Sequence, residues 1–341
     1  MMKAAVLYRP YELGIDDVPV PEVGPGQVLI RVSVCGLCGT DVNLYTGTYT
    51  ARQPVIIGHE FAGEVAASGP GVALEPGTRV TVDPNESCGA CYWCHSGQPT
   101  FCQNMPAYGV LRDGGFAEYV LVGERGVYPL PQGLEPEQAA FAEPVSCAVH
   151  GADQAAYRAG GSALIIGDGP MGLLQTQLAA QAGLSRLIVL GHHPRKLELA
   201  RAFGADVTLA PADGDLRQAV LDHTGGMGAE VVVVAVGKPG AIEQAFDLAK
   251  KGGRIVIFGF APEGQRASFS PFQLLSRELS VVGSWVNPYT FPRALDLLAR
   301  GKVQVSPFIT HRIGLGGLQQ AIEMMQSKPQ GFIKAMVGFQ A

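Results

Sequence analysis

Four of the seven cysteines in this 341-residue chain lie close together, with the spacing C-x2-C-x2-C-x7-C. They are Cys88, Cys91, Cys94 and Cys102. Four thiolates form a complete tetrahedral shell around zinc, and a complete shell leaves no position for a substrate. The spacing therefore predicts a structural zinc site that closes a long loop.

Reduced cysteines without a metal, disulfide bonds and a nucleic-acid-binding zinc ribbon are the alternatives for these cysteines. The N-terminus lacks the apolar stretch and the small-residue cleavage site of a signal peptide, so we predict a cytoplasmic protein with reduced cysteines. Residues 83–111 contain neither Lys nor Arg, and the formal net charge is −5, so we predict no nucleic-acid partner. No apolar run reaches the length of a membrane span, so no membrane association is predicted.

A second group of metal-ligand residue types is spread over "VCGLCGTDVNLY", "VIIGHEFAGEV" and "AFAEPVSCAVH". Its members are Cys38, His59, Glu60 and Glu143. One thiolate, one imidazole and one carboxylate would leave a fourth position on zinc open for an alcohol oxygen. The spacing alone does not decide for a metal, because a lone histidine is more often a hydrogen-bonded polar residue and glutamates are usually surface charges.

A glycine-rich turn stands between the apolar run "ALIIG" and the helical pattern "MGLLQTQLAAQAG". Glycines at such a turn let backbone amides approach a pyrophosphate, and the helix N-terminus adds partial positive charge. The order strand, turn, helix and second strand predicts a dinucleotide-binding site, against the alternative of a chance glycine turn. The predicted contacts are Gly167, Gly169, Pro170, Met171 and Gly172.

The end of the next strand predicts which dinucleotide binds. NAD sites usually place an acidic residue there, against the ribose 2'-hydroxyl, but this chain has Gly191 at that position. His192, His193 and Arg195 follow and could bind a 2'-phosphate. The sequence therefore favours NADP, with NAD as the second choice; a solvent-exposed loop that merely carries these three side chains is the alternative.

The length of the chain predicts two domains, and the predicted secondary-structure pattern changes along the sequence. Short β-branched runs separated by turns continue to about Phe116, and from about Glu135 apolar strands alternate with helical stretches. We predict strands at "SALIIG", "RLIVLG", "DVTLA", "AEVVVVAVG", "GRIVIFG" and "LSVVGS". Six apolar strands with intervening helices indicate a parallel, doubly wound α/β sheet.

Helices are predicted between these strands and in the C-terminal tail. Those between the strands are Met171–Ala182, Pro194–Phe203, Gly214–His223, Gly240–Lys250 and Pro271–Arg277. The tail is expected to contain helices at Phe291–Arg300 and Leu315–Ser327 and a strand at Gly331–Val337, and to rejoin the first domain.

Taken together, the motifs resemble those of zinc-dependent medium-chain dehydrogenases of the sorbitol, threonine and butanediol dehydrogenase branch. The matching segments are "CGLCGTD", "GHEFAGEV", the four-cysteine segment, "GGFAEYV", "AEPVSCAVHG" and "GDGPMG". The resemblance implies a six-stranded Rossmann domain at 148–287, inserted into a β-rich GroES-like catalytic domain at 1–147 and 288–341. It also implies a homo-oligomer, either a tetramer or a dimer.

The resemblance also implies roles for the second group of residues. Cys38, His59 and Glu143 would be ligands of a catalytic zinc, and Glu60 would be a ligand that exchanges with water. With the structural site, this makes two zinc ions per chain. The implied reaction is hydride transfer between a secondary alcohol or polyol and the nicotinamide, giving a ketone or aldehyde, or the reverse reduction.

Further residues are assigned from this reaction. Thr40 would accept a hydrogen bond from the substrate hydroxyl, and Leu44 and Phe116 would wall the substrate pocket, although ordinary core packing explains both equally well. Asn43 replaces a histidine of many relatives. After the sixth strand, Val286 and Asn287 stand where polyol dehydrogenases have an arginine and a tyrosine, which weakens a sorbitol-specific interpretation. A zinc-free quinone reductase or a binding protein of the same fold is the alternative function.

Overall fold

The computed structural model describes residues 1–339 and divides into two compact units. The first unit consists of Met1–Ser146 together with the chain from Asn287 onward, and the second unit is Cys147–Val286. The predicted boundaries of the inserted segment, 148 and 287, each differ from the observed ones by one residue.

The strands alternate with helices over much of the chain. The strands are β1 (Met2–Arg9), β2 (Glu12–Val18), β3 (Gln27–Gly36), β4 (Val55–Ile56), β5 (Glu60–Ser68), β6 (Arg79–Val82), β7 (Tyr119–Gly123), β8 (Val127–Pro129), β9 (Ser162–Ile166), β10 (Arg186–Leu190), β11 (Val207–Leu209), β12 (Ala229–Val234), β13 (Ala249–Ile257), β14 (Ser280–Gly283), β15 (Ile309–Gly314) and β16 (Lys334–Gly338).

The helices are α1 (Gly39–Thr46), α2 (Tyr92–His95), α3 (Pro136–Ala139), α4 (Ala142–Ala155), α5 (Pro170–Ala180), α6 (Pro194–Ala202), α7 (Leu216–His223), α8 (Pro239–Leu248), α9 (Pro271–Ser276), α10 (Phe291–Ala299) and α11 (Leu318–Ser327). Short 3-10 helices lie at Pro99–Phe101, Glu124–Gly126, Pro211–Asp213, Ser306–Phe308 and Leu315–Gly317. Among the described residues, none of these helices has both the length and the apolar character that crossing a bilayer requires.

The first unit is built on two sheets. A seven-stranded sheet has the order β15-β16-β3-β5-β6-β8, with β7 also paired to β3, and a three-stranded sheet has the order β2-β1-β4. The C-terminal strand β16 pairs antiparallel with β3, with Val337 opposite Cys35. The tail of the chain therefore completes the sheet that the N-terminal segment begins.

The composition of β3 explains its central position in this sheet. Apart from Arg31 and Ser33, which are exposed, its side chains are buried or half-buried. They pack in one core with Phe61, Phe116 and Leu44, which are almost completely inaccessible to solvent. A close-packed core of this kind holds the ends of its strands in fixed positions.

The second unit contains a six-stranded sheet in the order β11-β10-β9-β12-β13-β14, and its pairings are parallel. This confirms the predicted doubly wound sheet. The strands on either side of β9 are β10 and β12, so the order of the chain reverses there, and ligands of such sheets bind beyond the carboxyl ends of the strands at this point. The predicted helix at 240–250 ends earlier, at Leu248, because Ala249 already pairs with Ala229.

Hydrogen bonds explain why Asn287 lies in the first unit rather than the second. Its amide donates to Asp83 Oδ1 at 2.9 Å, and its oxygen accepts from the Asn85 amide at 2.8 Å. Burial raises the pKa of Asp83 to about 6, although the hydrogen bonds from Asn287 and from the Asn85 main chain favour the carboxylate.

We predict that Asp83 makes the protein less stable as the pH rises from about 4 to about 7. The folded protein binds this proton more tightly than the unfolded chain, so the stabilising contribution is complete at low pH and is lost as the pH passes the raised pKa. Asp83→Asn keeps the acceptor oxygen and removes the titration. Relative to this variant, the wild-type free energy of unfolding should fall by about 2 kcal/mol over that interval. Denaturant titrations at both pH values test this, and parallel pH profiles for the two proteins would contradict it.

Candidate metal and nucleotide sites

Three donor groups of the predicted catalytic site come together in the first unit. Cys38, His59 and Glu60 each offer a ligand atom, and these atoms all lie within 4.8 Å of one another. Cys38 follows β3 and caps α1, while Glu60 begins β5 directly opposite Gly36 of β3. The pairing of β3 with β5 therefore brings the thiol, the imidazole and the carboxylate to one place.

Asp41, which is not among the predicted site residues, holds this arrangement together. It is completely buried, and its carboxylate accepts hydrogen bonds from the Cys38 main chain at 2.8 Å and from the Gly58 main chain at 3.2 Å. Its Oδ1 also lies 3.5 Å from His59 Nδ1, a distance that permits charge attraction but not a strong hydrogen bond. Asp41 thus fixes the segments that carry two of the donors.

The environment of His59 suits a metal ligand. Burial lowers its pKa, but the negative charges of Asp41 and Cys38 outweigh burial and raise the pKa well above its usual value. Its buried Nδ1 has no hydrogen-bond partner. Sulfur, nitrogen and oxygen donors within reach of one another match the ligand preferences of zinc, so these residues fit the metal, and binding it would release a proton from His59.

A buried lysine reaches the same site from the far end of the chain. The Lys334 ammonium in β16 is 4% exposed and forms an ion pair with Glu60 Oε2. Burial lowers the pKa of Lys334, but attraction to Glu60 and Cys38 outweighs burial. The pKa is therefore raised above its usual value, and the side chain stays charged. A Cβ on Gly36 would lie 2.4 Å from Glu60 Oε2, so a larger residue there would force the Glu60 carboxylate to shift. Glu60 therefore has a protein cation as a partner as well as a position beside the other donors.

The remaining residues predicted for this site lie in different surroundings. Glu143 is buried in the first turn of α4 and does not belong to the group of mutually close donors. The Thr40 hydroxyl lies 3.8 Å from the Cys38 sulfur, next to the site. Leu44 and Phe116 are fully buried members of the core.

The four cysteines of the predicted structural site also converge. Their sulfur atoms all lie within 4.8 Å of one another, and the cysteines are free thiols. A main-chain N–H of Ala90 and the Asn104 amide lower the pKa of Cys88 to about 6, whereas burial raises the pKa of Cys102 to about 11. Zinc binds thiolates, so four sulfur atoms this close together, with the lowered pKa of Cys88 favouring the thiolate form, fit a zinc ion.

Arg125 anchors the segment that carries these cysteines. Its guanidinium donates to the carbonyls of Ser87 and Cys88 at 2.8 and 3.2 Å and to Glu86 Oε1 at 2.8 Å. Within the loop, Gly89 and Gly97 have φ values of 69° and 76°, which only glycine adopts without strain. The loop is thus held at its entrance by a side chain as well as by its own sulfur atoms.

The glycine-rich turn of the second unit has the shape of a phosphate cradle. A Cβ on Gly172 would lie 1.9 Å from the Gly167 carbonyl oxygen, so α5 packs directly on the turn. Gly169 caps α5, and a Cβ there would meet nothing within 4 Å, which leaves open space in front of the helix N-terminus. Pro170 and Met171 begin the helix, as predicted. These features fit a bound pyrophosphate.

The loop after β10 contains the residues predicted to select the cofactor, and a carboxylate that the sequence analysis did not assign. His192 and Arg195 are exposed, and His193 caps α6. The Asp168 side chain extends from the glycine-rich turn to this loop, where Oδ2 accepts from the main-chain N–H groups of His192 at 2.8 Å and His193 at 2.7 Å. The end of β10 therefore has an acidic neighbour, although Gly191 itself has no side chain.

Comparisons with known proteins agree with this geometry. The alcohol dehydrogenase GroES-like domain matches residues 24–132, and the zinc-binding dehydrogenase domain matches residues 170–300. D-arabinitol dehydrogenase 1 of Uromyces fabae is 34% identical over 331 residues, covering 96% of this chain and 95% of that protein. L-threonine 3-dehydrogenase of Pyrococcus furiosus is 36% identical over 338 residues, covering 96% of each. A crystal structure described as a zinc-binding dehydrogenase from Sinorhizobium meliloti, bound to NADP, is 39% identical, covers 99% of both chains and has a TM-score of 0.94.

The fold and the donor groups define a zinc-binding dehydrogenase. The chain belongs to the zinc-type medium-chain dehydrogenases, and it is an enzyme that couples oxidation of an alcohol to reduction of a nicotinamide cofactor. The family, the fold class and the reaction type predicted from the sequence are confirmed.

We predict that Lys334→Met destabilises the protein strongly, because it leaves the buried Glu60 carboxylate without its cation. The expected loss is about 3 kcal/mol in the free energy of unfolding, measured by denaturant titration. Glu60→Gln combined with Lys334→Met should recover most of that loss, since both charges are then absent. Lys3→Met breaks an exposed pair with Asp17 and serves as the control, with little change expected. If Lys334→Met has the same free energy of unfolding as the wild type, the ion pair between Lys334 and Glu60 does not stabilise the fold.

Proposed function

We propose that this enzyme transfers a hydride between a secondary alcohol or polyol and NADP, with a catalytic zinc held by Cys38 and His59. Glu143 and Glu60 are the proposed carboxylate ligands, Glu60 being the one that exchanges with water. The observation that carries the proposal is the convergence of Cys38, His59 and Glu60 within 4.8 Å at the paired ends of two strands. The presence of Cys38, His59 and Glu143 in one chain supports a dehydrogenase over a zinc-free reductase of the same fold.

The chain's own residues orient the substrate and move its proton. Zinc, when bound, supplies a Lewis acid that makes an alcohol hydroxyl easier to deprotonate, and the nicotinamide accepts the hydride. Thr40, whose hydroxyl adjoins Cys38, accepts the hydrogen bond from the substrate hydroxyl and passes the proton towards solvent. Asn43 cannot titrate, so the onward route uses hydroxyl groups or water rather than a side-chain base.

The substrate class is proposed from the relatives and from one contact. The related enzymes named above act, by their names, on D-arabinitol and L-threonine, which both carry a secondary hydroxyl group. Asn287 is bonded to Asp83 and Asn85, so its amide is engaged within the protein rather than available for a polyol. We therefore propose a secondary alcohol or polyol and not sorbitol in particular, with Leu44 and Phe116 as pocket walls. We further propose a cytoplasmic homo-oligomer, a tetramer or a dimer.

We predict two zinc ions per chain with separable roles. Cys38→Ser should lose one ion and the alcohol-oxidising activity while the protein remains folded, because the catalytic ligand set is broken. Cys94→Ser should lose the other ion and lower the thermal stability, since that site closes a loop. Metal analysis, turnover of a panel of secondary alcohols and circular dichroism of both variants provide the test. Undiminished turnover by Cys38→Ser would refute the catalytic assignment.

We predict a higher kcat/KM with NADP than with NAD, supported by Arg195 and the two histidines after β10 and by the likeness to an NADP-bound structure. Arg195→Gln should lower kcat/KM for NADP about tenfold or more and leave the value for NAD unchanged, because a hydrogen bond to a charged group contributes about 1.5–3 kcal/mol. Arg201→Gln, which removes the same charge near the other end of α6, is the control. A clear wild-type preference for NAD would defeat the proposal.

A further inference from the structure

Asp168 connects the two parts of the nucleotide site. Its carboxylate is 7% exposed, and Oδ2 accepts three hydrogen bonds from the loop after β10. Two come from the main chain of His192 and His193, and the third partner is His193 Nδ1 at 2.9 Å. One oxygen of the glycine-rich turn thus fixes both residues that follow Gly191.

Gly191 and Asp168 are matched to each other in space. A Cβ on Gly191 would lie 2.5 Å from Asp168 Cβ and 2.7 Å from its Cγ, distances that real atoms do not adopt. The Asp168 side chain therefore fills the volume that any strand-end side chain would need. Position 191 lacks a side chain, and the acidic side chain at position 168 occupies the space that one would need.

The contacts of Asp168 favour a bracing role over direct contact with a ribose hydroxyl. Oδ2 already has three partners, and these hydrogen bonds lower the pKa of Asp168 despite its burial, so the group is an ionised acceptor committed to the loop. The bond at His193 Nδ1 also fixes the imidazole ring, which is 43% exposed, and leaves its Nε2 as the nitrogen that can meet a ligand.

We propose that Asp168 is a positioning residue for cofactor selection, holding His192 and His193 in the loop conformation that receives the 2'-phosphate of NADP. This inference rests on the proposed use of NADP. It adds that the 2'-phosphate site depends on a carboxylate that does not touch the phosphate.

Calorimetric binding of 2',5'-ADP and 5'-AMP to the full chain tests the proposal without turnover, since the two nucleotides differ at the 2'-position. Asp168→Ala should weaken 2',5'-ADP about tenfold and change 5'-AMP by less than about twofold, because it releases the loop but not the glycine-rich turn. Asp168→Asn should restore most of the affinity, as its amide oxygen still accepts main-chain N–H groups. In turnover, Asp168→Ala should raise KM for NADP and leave kcat nearly unchanged.

Two further variants separate positioning from general stability. Gly191→Ala brings a Cβ to within 2.5 Å of the Asp168 Cβ and must displace the Asp168 side chain, so it should produce the same selective loss. Asp206→Ala is the matched control, because Asp206 Oδ2 accepts the Leu187 N–H at 2.6 Å at the opposite end of β10. It should leave both nucleotide affinities unchanged.

The outcomes are distinguishable. If the wild type binds 5'-AMP as tightly as 2',5'-ADP, the NADP proposal fails and this inference fails with it. If the wild type prefers 2',5'-ADP but Asp168→Ala binds it with unchanged or higher affinity, only the positioning role is wrong. If Asp168→Ala loses 5'-AMP as strongly as 2',5'-ADP, Asp168 serves ribose binding or folding in general, and the positioning role is overturned.

Discussion

The register between β3 and β5 is the constraint on which the chemistry of this enzyme depends. Gly36, the last residue of β3, lies opposite Glu60, the first residue of β5, so Cys38, two residues beyond β3, lies close to Glu60. A slip of one residue would turn Glu60 to the opposite face and separate the donors. The buried side chains of β3 and Phe61 prevent that slip, because it would expose the core. Core packing in the first unit therefore also brings together the candidate metal ligands Cys38, His59 and Glu60.

Charge compensation is the second requirement of this buried site. Two buried carboxylates, those of Asp41 and Glu60, cannot be removed from water unless positive charge accompanies them. Lys334 supplies one cation through β16, and a zinc ion would supply the rest. The last strand of the described chain is thus part of the electrostatics of a site whose ligands lie in the first half of the sequence.

Structural features that depend on a short stretch of sequence could be predicted from that sequence. The spacing of Cys88 to Cys102, the glycine-rich turn and the apolar strands of the second unit each have a local physical cause, and the six-stranded sheet follows the predicted order of strands and helices. The roles of Lys334 and Asp168 were not predictable, because they depend on residues distant in the chain. Asp41 did have a local signal, since its spacing from Cys38 is that of a capping box. The end of the helix at Leu248 was missed because sheet pairing overrode the helical pattern.

Arg125 holds the start of the cysteine loop in place independently of a metal ion. The Arg125 guanidinium donates hydrogen bonds to the carbonyls of Ser87 and Cys88 from outside the sulfur cluster. These bonds hold the start of the loop, and a chelator that removes a metal would not break them. If the four cysteines hold the proposed zinc ion, its loss would loosen the loop beyond Cys88 while the strands beneath keep their pairing. Damage to this part of the molecule is thereby confined to a local opening, which a protease could cut before the body of the protein unfolds.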